Sequence, residues 1–272
     1  MCLAYLLKLY QKLIYMKKMI PMLILLVSAF TILSGCTKNK QAKLSVYLTD
    51  DPANYSEVNI DIQQVLINVS DGGENWKELP ITPGVYNLLN FRNGLDMLLG
   101  TIELPAGKVS QIRMVLGPNN TVKEGNTIYD LQTPSAQQSG LKFKVNVELV
   151  EGVTYKLWID FDAGRSVVKA GNSGKYNLKP VIRTFTEATS GAIKGIVLPA
   201  AAEAWVYAIN GTDTIASAKP DVLTGNFLMR GIAPATYTVA IDGKNNYIDK
   251  TISNVVVTLG QVANTGTTTL IQ

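Results

Sequence analysis

Four aspartates in two short segments are the residues of this sequence that could do chemistry together. They are Asp50 and Asp51 in the loop TDDPANY, and Asp160 and Asp162 in the segment WIDFDAGRS. Residues two positions apart on a β-strand share a face and lie roughly 7 Å apart. Carboxylates so placed could hold a hard cation such as Ca²⁺, which prefers oxygen ligands.

A structural corner is the competing interpretation of these carboxylates. Asp160 and Asp162 would then bond to Arg165 or accept backbone N–H groups at the end of a strand. The sequence contains no D-x-D-x-D-G calcium loop. We therefore favour the structural corner and keep a Ca²⁺ site built from all four aspartates as the alternative.

The composition excludes most other kinds of site. The chain contains no histidine and only two cysteines, which rules out Ser-His-Asp and Cys-His nucleophiles and Cys/His zinc sites. Two carboxylates can hydrolyse glycosides at a suitable separation, but nothing in the sequence places a second acid there. We therefore expect no enzymatic activity and no cofactor, with a carboxylate-dependent envelope hydrolase as the least favoured alternative.

A second candidate site is aromatic. In the segment AWVYAIN, Val206 lies between two alanines, and Trp205 and Tyr207 alternate with these small residues. The small side chains of the two alanines suit a tightly packed interior, so we expect Val206 in the core, and strand alternation then puts both rings on the opposite face. Flat rings on a solvent face can stack on a sugar, so Trp205 and Tyr207 are candidate ligand-stacking residues. Alternatively, the rings cover each other across the sheet or contact the other half of the chain.

Strands must position these residues. Alternating apolar and polar residues, separated by turn signals such as PAG, GPNN and GNSG, predict half-buried strands. In the first part of the chain this pattern covers 43–49, 57–69, 108–116, 141–150, 154–161 and 175–185. The alternation breaks near Gln63, which predicts a β-bulge. At 94–102 the apolar residues have helical spacing, which predicts a short helix.

A cluster of Thr, Ser and Gly at 186–195 predicts a domain boundary. We therefore divide the folded part into domains 44–187 and 191–272, and the second contains seven strand patterns, as an Ig-like or transthyretin-like sandwich does. Many short strands with turn signals predict an all-β protein. The predicted fold is two consecutive β-sandwich domains.

The second domain resembles the carboxypeptidase regulatory-like, or transthyretin-like, family. The segments that carry the resemblance are GAIKGIVLP, AWVYAI, TGNFLMRGIAPATYTVAID and NVVVTLGQ. We expect Phe227 to fill the core and APAT to form a hairpin into the next strand. The resemblance implies a seven-stranded sandwich, of a type grouped with carbohydrate-binding folds, that serves as a non-enzymatic accessory module.

The first domain resembles a domain of unknown function, DUF4382, over nearly all of residues 44–186. The segments that carry this resemblance are VYLTDDPANYSEVNIDIQQVLI, LPAGKVSQIRMVLG, LQTPSAQQSGLKFKV and LWIDFDAGRSVVKAGNSGKYNLKPVIR. It implies a lipoprotein of the Gram-negative cell envelope and leaves the function open.

Residues 1–35 resemble a lipoprotein signal peptide. Two lysines precede the apolar run MIPMLILLVSAFTIL, which is short for a membrane span of roughly 20 residues. The segment LSGC that follows resembles a bacterial lipobox, which implies that Cys36 carries the lipid and becomes the mature amino terminus. Residues 36–43 would then be a tether, and we interpret Met16 as the true start. The alternative is an ordinary signal peptide with an incidental cysteine.

Charge and location follow from this leader. Of 25 basic residues in the chain, four precede Cys36 and no acidic residue does, so the remainder carries 21 basic and 21 acidic residues. Without a basic excess to neutralise phosphates, we expect no nucleic-acid partner. Thr37 follows the cysteine where retention in the inner membrane would favour Asp, so we expect the outer membrane, with its periplasmic or extracellular face left open.

We thus expect a non-catalytic envelope lipoprotein that is anchored to the membrane by its lipid and binds carbohydrate or another ligand. A structural or adhesive protein that contacts other envelope proteins is the alternative.

Overall fold

Alternating apolar and polar side chains build the molecule from β-strands, as their two-residue period requires. A computed structural model describes residues 41–69, 73–133, 139–171 and 173–272. In those residues twenty strands form four sheets, and the helices have only three or four residues each. The predicted all-β class with two β-sandwiches is confirmed. The predicted signal peptide and Cys36 lie outside the described residues.

The amino-terminal sandwich contains thirteen of these strands. They are β1 (Ala42–Asp51), β2 (Glu57–Asn68), β3 (Trp76–Leu79), β4 (Gly84–Asn87), β5 (Met97–Leu104), β6 (Gly107–Leu116), β7 (Thr121–Glu124), β8 (Thr127–Gln132), β9 (Leu141–Leu149), β10 (Thr154–Asp162), β11 (Val167–Lys169), β12 (Tyr176–Leu178) and β13 (Ile182–Thr186).

Two sheets make up this sandwich. The first has the strand order β13-β10-β1-β5, in which β1 and β10 run parallel. The second follows the order β11-β12-β8-β7-β2-β6-β9, and β3 and β4 also pair with β2. The inner faces enclose one apolar core in which Leu44, Ile60, Ile112 and Phe161 are fully buried. Burial of such side chains from both sheets is the main stabilising contribution.

Three local predictions had different outcomes. The β-bulge near Gln63 is confirmed, because the register of β2 against β6 shifts between Ile62 and Gln64. The helix at 94–102 is wrong, since Met97–Leu104 forms β5 and pairs antiparallel with β1. The pairing gives the backbone N–H and C=O groups of this segment their hydrogen-bond partners. This stabilisation outweighs the preference for a helix that the spacing of the apolar residues suggested. The single strand predicted over 175–185 is divided into β12 and β13 around Pro180, which lacks a backbone donor.

The carboxy-terminal sandwich contains the seven strands that the sequence predicts there. They are β14 (Gly191–Leu198), β15 (Trp205–Asn210), β16 (Asp213–Ala218), β17 (Asn226–Ile232), β18 (Ala235–Asp242), β19 (Lys250–Val257) and β20 (Val262–Thr269). Their orders are β17-β14-β20 in one sheet and β16-β15-β18-β19 in the other.

The segment APAT connects these two sheets and is not the hairpin that the sequence predicts. Strand β17 belongs to one sheet and β18 to the other, so the chain crosses the core here. The Tyr237 hydroxyl donates a hydrogen bond to the Ala233 carbonyl oxygen at 2.8 Å, and this bond stabilises the connection between the two sheets. Phe227 is 3% exposed and fills the core as predicted.

The outer face of the first sheet contacts the carboxy-terminal sandwich. Across three neighbouring strands the rings of Tyr47, Trp158 and Phe185 stack, with centroid separations of 5.4 and 5.5 Å. Trp158 Nε1 and Arg230 Nη1 both donate to Asp96 Oδ2, at 2.8 and 2.7 Å. An aromatic layer and a shared carboxylate therefore join the two sandwiches.

Gln41–Gln272 form one compact unit as a result. The division into domains 44–187 and 191–272 stays a prediction. In the part of the chain that the structure describes, no helix has the length and apolar character needed to cross a membrane.

Candidate functional site

Strand β15 turns the two predicted aromatic residues away from the core. Val206 is fully buried between two buried alanines, so the predicted alternation of faces is confirmed. Trp205 and Tyr207 are half-buried on the opposite face. Their rings are nearly parallel, at 12°, with centroids 6.2 Å apart. The Lys219 ammonium lies 5.8 Å from the centroid of the Trp205 ring, within the range of cation–π attraction.

Asp51 and Asp162 end two neighbouring parallel strands. They are directly opposite each other in the register of β1 and β10, so both side chains leave the sheet on the same face. Asp162 also precedes a one-turn helix, α1 (Ala163–Ser166). Its Oδ1 accepts the backbone N–H of Arg165 at 2.8 Å, and its Oδ2 accepts the Arg165 Nε–H at 2.5 Å. The structural-corner interpretation predicts these bonds for Asp162, whereas Asp160 bonds to Arg183 of a neighbouring strand and not to Arg165.

Arg183 of β13 compensates the charge of two further carboxylate groups. Its Nε donates to Asp160 Oδ2 at 2.5 Å, and its Nη2 lies 3.4 Å from Asp51 Oδ1. Its Nη1 donates to the carbonyl oxygen of Ile215 in the other sandwich, at 3.3 Å. The planar, multidentate guanidinium therefore links two aspartates and the junction between the sandwiches.

Burial raises the pKa of three of these carboxyl groups. Burial, together with the nearby charge of Asp160, raises the pKa of Asp51 to about 7, although Arg183 opposes the shift. Burial likewise raises the pKa of Asp160 despite its bond to Arg183. The pKa of Asp50 is raised well above its ordinary value by burial, against the hydrogen bond from Ala163. Asp51 is thus partly protonated near neutral pH.

Two of the four predicted aspartates are buried, and the other two border open space. Asp50 is 5% exposed, and its Oδ1 accepts the backbone N–H of Ala163 at 2.9 Å. Asp160 is 3% exposed beneath Arg183. Both are buried, whereas Asp51 and Asp162 border the space in front of the sheet.

That space is a cleft of about 460 Å³, which we call the aromatic–carboxylate cleft. It brings Asp51 and Asp162 together with the two aromatic residues of β15. Side chains that line it include Asp51, Tyr55, Glu124, Asp162, Arg165, Trp205 and Tyr207. Its volume lies in the range of roughly 300–1,000 Å³ that is typical of small-molecule sites.

Sequence reasoning did not point to Tyr55, Glu124 or Arg183. Tyr55 had an available signal, because it shares the loop TDDPANY with Asp51. Glu124 and Arg183 had none, since each lies on a strand that only the sheet register and the packing bring close.

The described residues include no group of three or more His, Cys, Asp or Glu side chains that could hold a metal ion. Arg183 bonds to Asp51 and Asp160, and Arg165 bonds to Asp162. Guanidinium groups therefore already balance the charge that would attract a cation. Paired carboxylates beside aromatic rings instead suit a ligand with hydroxyl donors and a flat apolar face.

Three solved structures have some likeness to this chain. A cohesin–X-dockerin complex from Acetivibrio cellulolyticus matches at 25% identity over 29% of this chain and 56% of that chain, with a TM-score of 0.24. The fimbrial anchor protein Mfa2 from Porphyromonas gingivalis matches at 10% identity over 80% and 82% of the two chains, with a TM-score of 0.18. A putative adhesin from Bacteroides ovatus matches at 10% identity over 84% and 87%, with a TM-score of 0.19.

The chain spans about half of the cohesin-complex chain that it matches. TM-scores this low give no information about the function of this chain. No curated protein matches the sequence. A family model described as a domain of unknown function, DUF4382, matches residues 41–180, which is just over half of the 272 residues. This chain therefore belongs to the DUF4382 family.

Proposed function

We propose that this chain is a non-catalytic protein of the cell envelope that binds carbohydrate in the aromatic–carboxylate cleft. The observation that supports the proposal is that Trp205 and Tyr207 share one concave surface with Asp51 and Asp162. The C–H face of a sugar ring packs on an aromatic ring, and sugar hydroxyls donate to carboxylates. A saccharide needs both kinds of contact at once, and this cleft presents both.

Binding without hydrolysis fits the state of the carboxylates. An acid–base pair needs one carboxyl group free to donate its proton and one free to act as base or nucleophile. Both oxygens of Asp162 already accept a hydrogen bond from Arg165, so Asp162 is not free to act as base or nucleophile, although each oxygen keeps a second lone pair that can accept a sugar hydroxyl. The hydrolase alternative predicts release of new reducing ends from a bound oligosaccharide, which a reducing-sugar assay on the same ligands detects.

The proposed location in the cell envelope rests on the predicted lipidation of Cys36. One acyl chain holds a protein only marginally, whereas two or more anchor it stably. A lipobox cysteine with several acyl chains would hold the two sandwiches at the outer membrane. The resemblance of residues 191–272 to carboxypeptidase regulatory-like modules fits an accessory, non-enzymatic role.

A glycan array probed with the purified protein tests the proposed function. Truncation of a stacking ring should weaken binding by about 1 kcal/mol, or roughly fivefold, for each of Trp205→Ala and Tyr207→Ala. Ile209→Ala is the matched control, because Ile209 lies on the same face of β15 outside the cleft lining. If no glycan binds, or if all three variants bind alike, the carbohydrate proposal is wrong.

An adhesive role is the second candidate, and exposed apolar residues favour it. Val256, Leu259 and Val262 are 59%, 53% and 51% exposed around the turn between β19 and β20. In the described part of the chain β20 pairs only with β14, so its other edge is open. Open edges and apolar patches are common protein-contact surfaces. Cross-linking to envelope proteins that a Val262→Lys substitution abolishes would favour this role.

A further inference from the structure

A larger cleft opens on the side of the amino-terminal sandwich. Its volume is about 910 Å³, and we call it the side cleft. It lies where β9, the edge of the second sheet, meets β13, the edge of the first. The side chains that line it include Trp76, Gln111, Lys144, Asn146, Leu157 and Phe185.

A β-bulge brings the polar residues of this cleft together. The register of β6 against β9 shifts between Val109 and Gln111, and Gln111 is then directly opposite Lys144. Bulges bend a strand and turn a side chain out of its normal alternation. Adjacent residues of both strands consequently line the cleft, including Asn146.

Three of these polar side chains have hydrogen-bonding capacity to spare. Within the described ranges, neither the Gln111 amide nor the Asn146 amide makes a side-chain hydrogen bond, and the Lys144 ammonium makes no ion pair. Gln111 and Lys144 are cross-strand partners, so their side chains can reach the same ligand. Two amides and one ammonium would together bind hydroxyl groups and one negative charge.

Aromatic and aliphatic surface completes the cleft. Leu157 of the core and Phe185 of the outer aromatic layer are both buried, and both line the cleft. Trp76 lines it as well, and Arg113 lies 4.3 Å from the centroid of its ring and covers part of it. A pocket with apolar walls and a few convergent polar groups is typical of a small-molecule site.

We infer that the side cleft binds an acidic saccharide, in which a sugar carboxylate bonds to Lys144 and the hydroxyls bond to Gln111 and Asn146. The ring would pack on Trp76. The Lys144 ammonium makes no ion pair among the described residues, and this group favours an anionic ligand over a neutral or cationic one.

The inference is independent of the proposed function, because no residue lines both clefts. The aromatic–carboxylate cleft surrounds its aromatic rings with carboxylates, whereas the side cleft offers an ammonium and amides. A variant in one cleft therefore leaves the other intact, and failure of one proposal is visible separately from failure of the other.

Calorimetric titration of the purified full-length chain with trigalacturonate, and with its methyl ester, tests the inference. The ester retains the rings and hydroxyls and removes the charges. Trigalacturonate should bind about tenfold more tightly than the ester, as expected for one charge-assisted hydrogen bond. Lys144→Gln should remove that preference. Lys142→Gln is the matched control, because Lys142 is also exposed on β9 and lies outside the cleft lining.

Four results would overturn the inference. The first is that trigalacturonate fails to bind at millimolar concentration. The second is that the ester binds as tightly as trigalacturonate, and the third is that Lys144→Gln and Lys142→Gln have the same affinities. Loss of trigalacturonate binding in Trp205→Ala would also overturn it, because the ligand would then occupy the aromatic–carboxylate cleft. Circular dichroism verifies folding of each variant, and both lysines are exposed, so neither substitution should unfold the protein.

Discussion

Asp51 and Asp162 face each other from the ends of two parallel strands, with their side chains only 13% and 14% exposed. Two carboxylates at such close positions repel each other when both are ionised. Arg165 bonds to Asp162, whereas Arg183 is shared between Asp51 and the buried Asp160. Burial and the nearby charge of Asp160 raise the pKa of Asp51, although Arg183 opposes the shift.

Stability should depend on pH through Asp51. Its pKa is about 7 in the folded protein and 3.8 in the reference state, so the folded state binds more protons between those values. The free energy of unfolding should therefore decrease as the pH rises from about 4 to 7. Asp51→Asn removes this titrating group. The melting temperature of the variant should therefore decrease less between about pH 4 and pH 7 than the melting temperature of the native chain does.

The exposed Asp213 provides the control for that comparison. Asp213→Asn should reproduce the pH profile of the native chain. The contrary result is that the melting temperatures of the native chain and of Asp51→Asn change by the same amount between pH 4 and pH 8. That result would show that folding does not raise the pKa of Asp51.

Truncation of Trp205 should affect binding more than folding. Trp205 is half-buried outside the core, so Trp205→Ala should cost much less than the roughly 3–5 kcal/mol of a core aromatic. Phe227→Ala, at a core position that is 3% exposed, should show that full loss. Chemical denaturation measures both. Equal losses would mean that Trp205 contributes to stability as a core residue does.

A fragment that begins at Gly191 should fold alone. Its seven strands enclose a separate apolar core that includes Val206, Phe227 and Val239. Loss of the Asp96–Arg230 ion pair at the junction should cost little, because partly exposed ion pairs contribute roughly 0–1 kcal/mol. Circular dichroism and a cooperative melting transition test this. A disordered fragment would show that the first sandwich is needed for folding.

Calcium should leave the melting temperature unchanged. A cation stabilises only if it binds the native state better than the unfolded one, and the carboxylates of Asp51, Asp160 and Asp162 already bond to arginines. Melting in millimolar Ca²⁺, and again after chelation, checks this expectation. An increase in the melting temperature that chelation reverses would support the calcium alternative.

Cys36 should be the lipidated mature terminus. Cys36→Ser removes the thiol that would receive the lipid, so the precursor should accumulate uncleaved or in the wrong compartment. Detergent partitioning and the size of the processed chain test this. Normal processing of the variant together with continued partitioning into detergent would contradict the lipobox interpretation.

The sequence alone determined the features that depend on neighbouring residues. Strand alternation placed Val206 inside and Trp205 outside, and it located all seven strands of the second sandwich and the bulge near Gln63. Each of these follows from a two-residue period that is visible within a few positions. The resemblance to DUF4382 likewise came from contiguous segments.

Only the tertiary structure decided which distant residues meet. Asp51 and Asp162 become neighbours because β1 and β10 pair in parallel, and Arg183 joins them because β13 pairs with β10. The same pairing made β5 a strand where spacing predicted a helix, and packing of the two sandwiches placed Trp205 opposite the aspartates. Strand partners and sheet contacts are chosen by burial of the whole core and by pairing of every backbone group, and no local pattern encodes that choice.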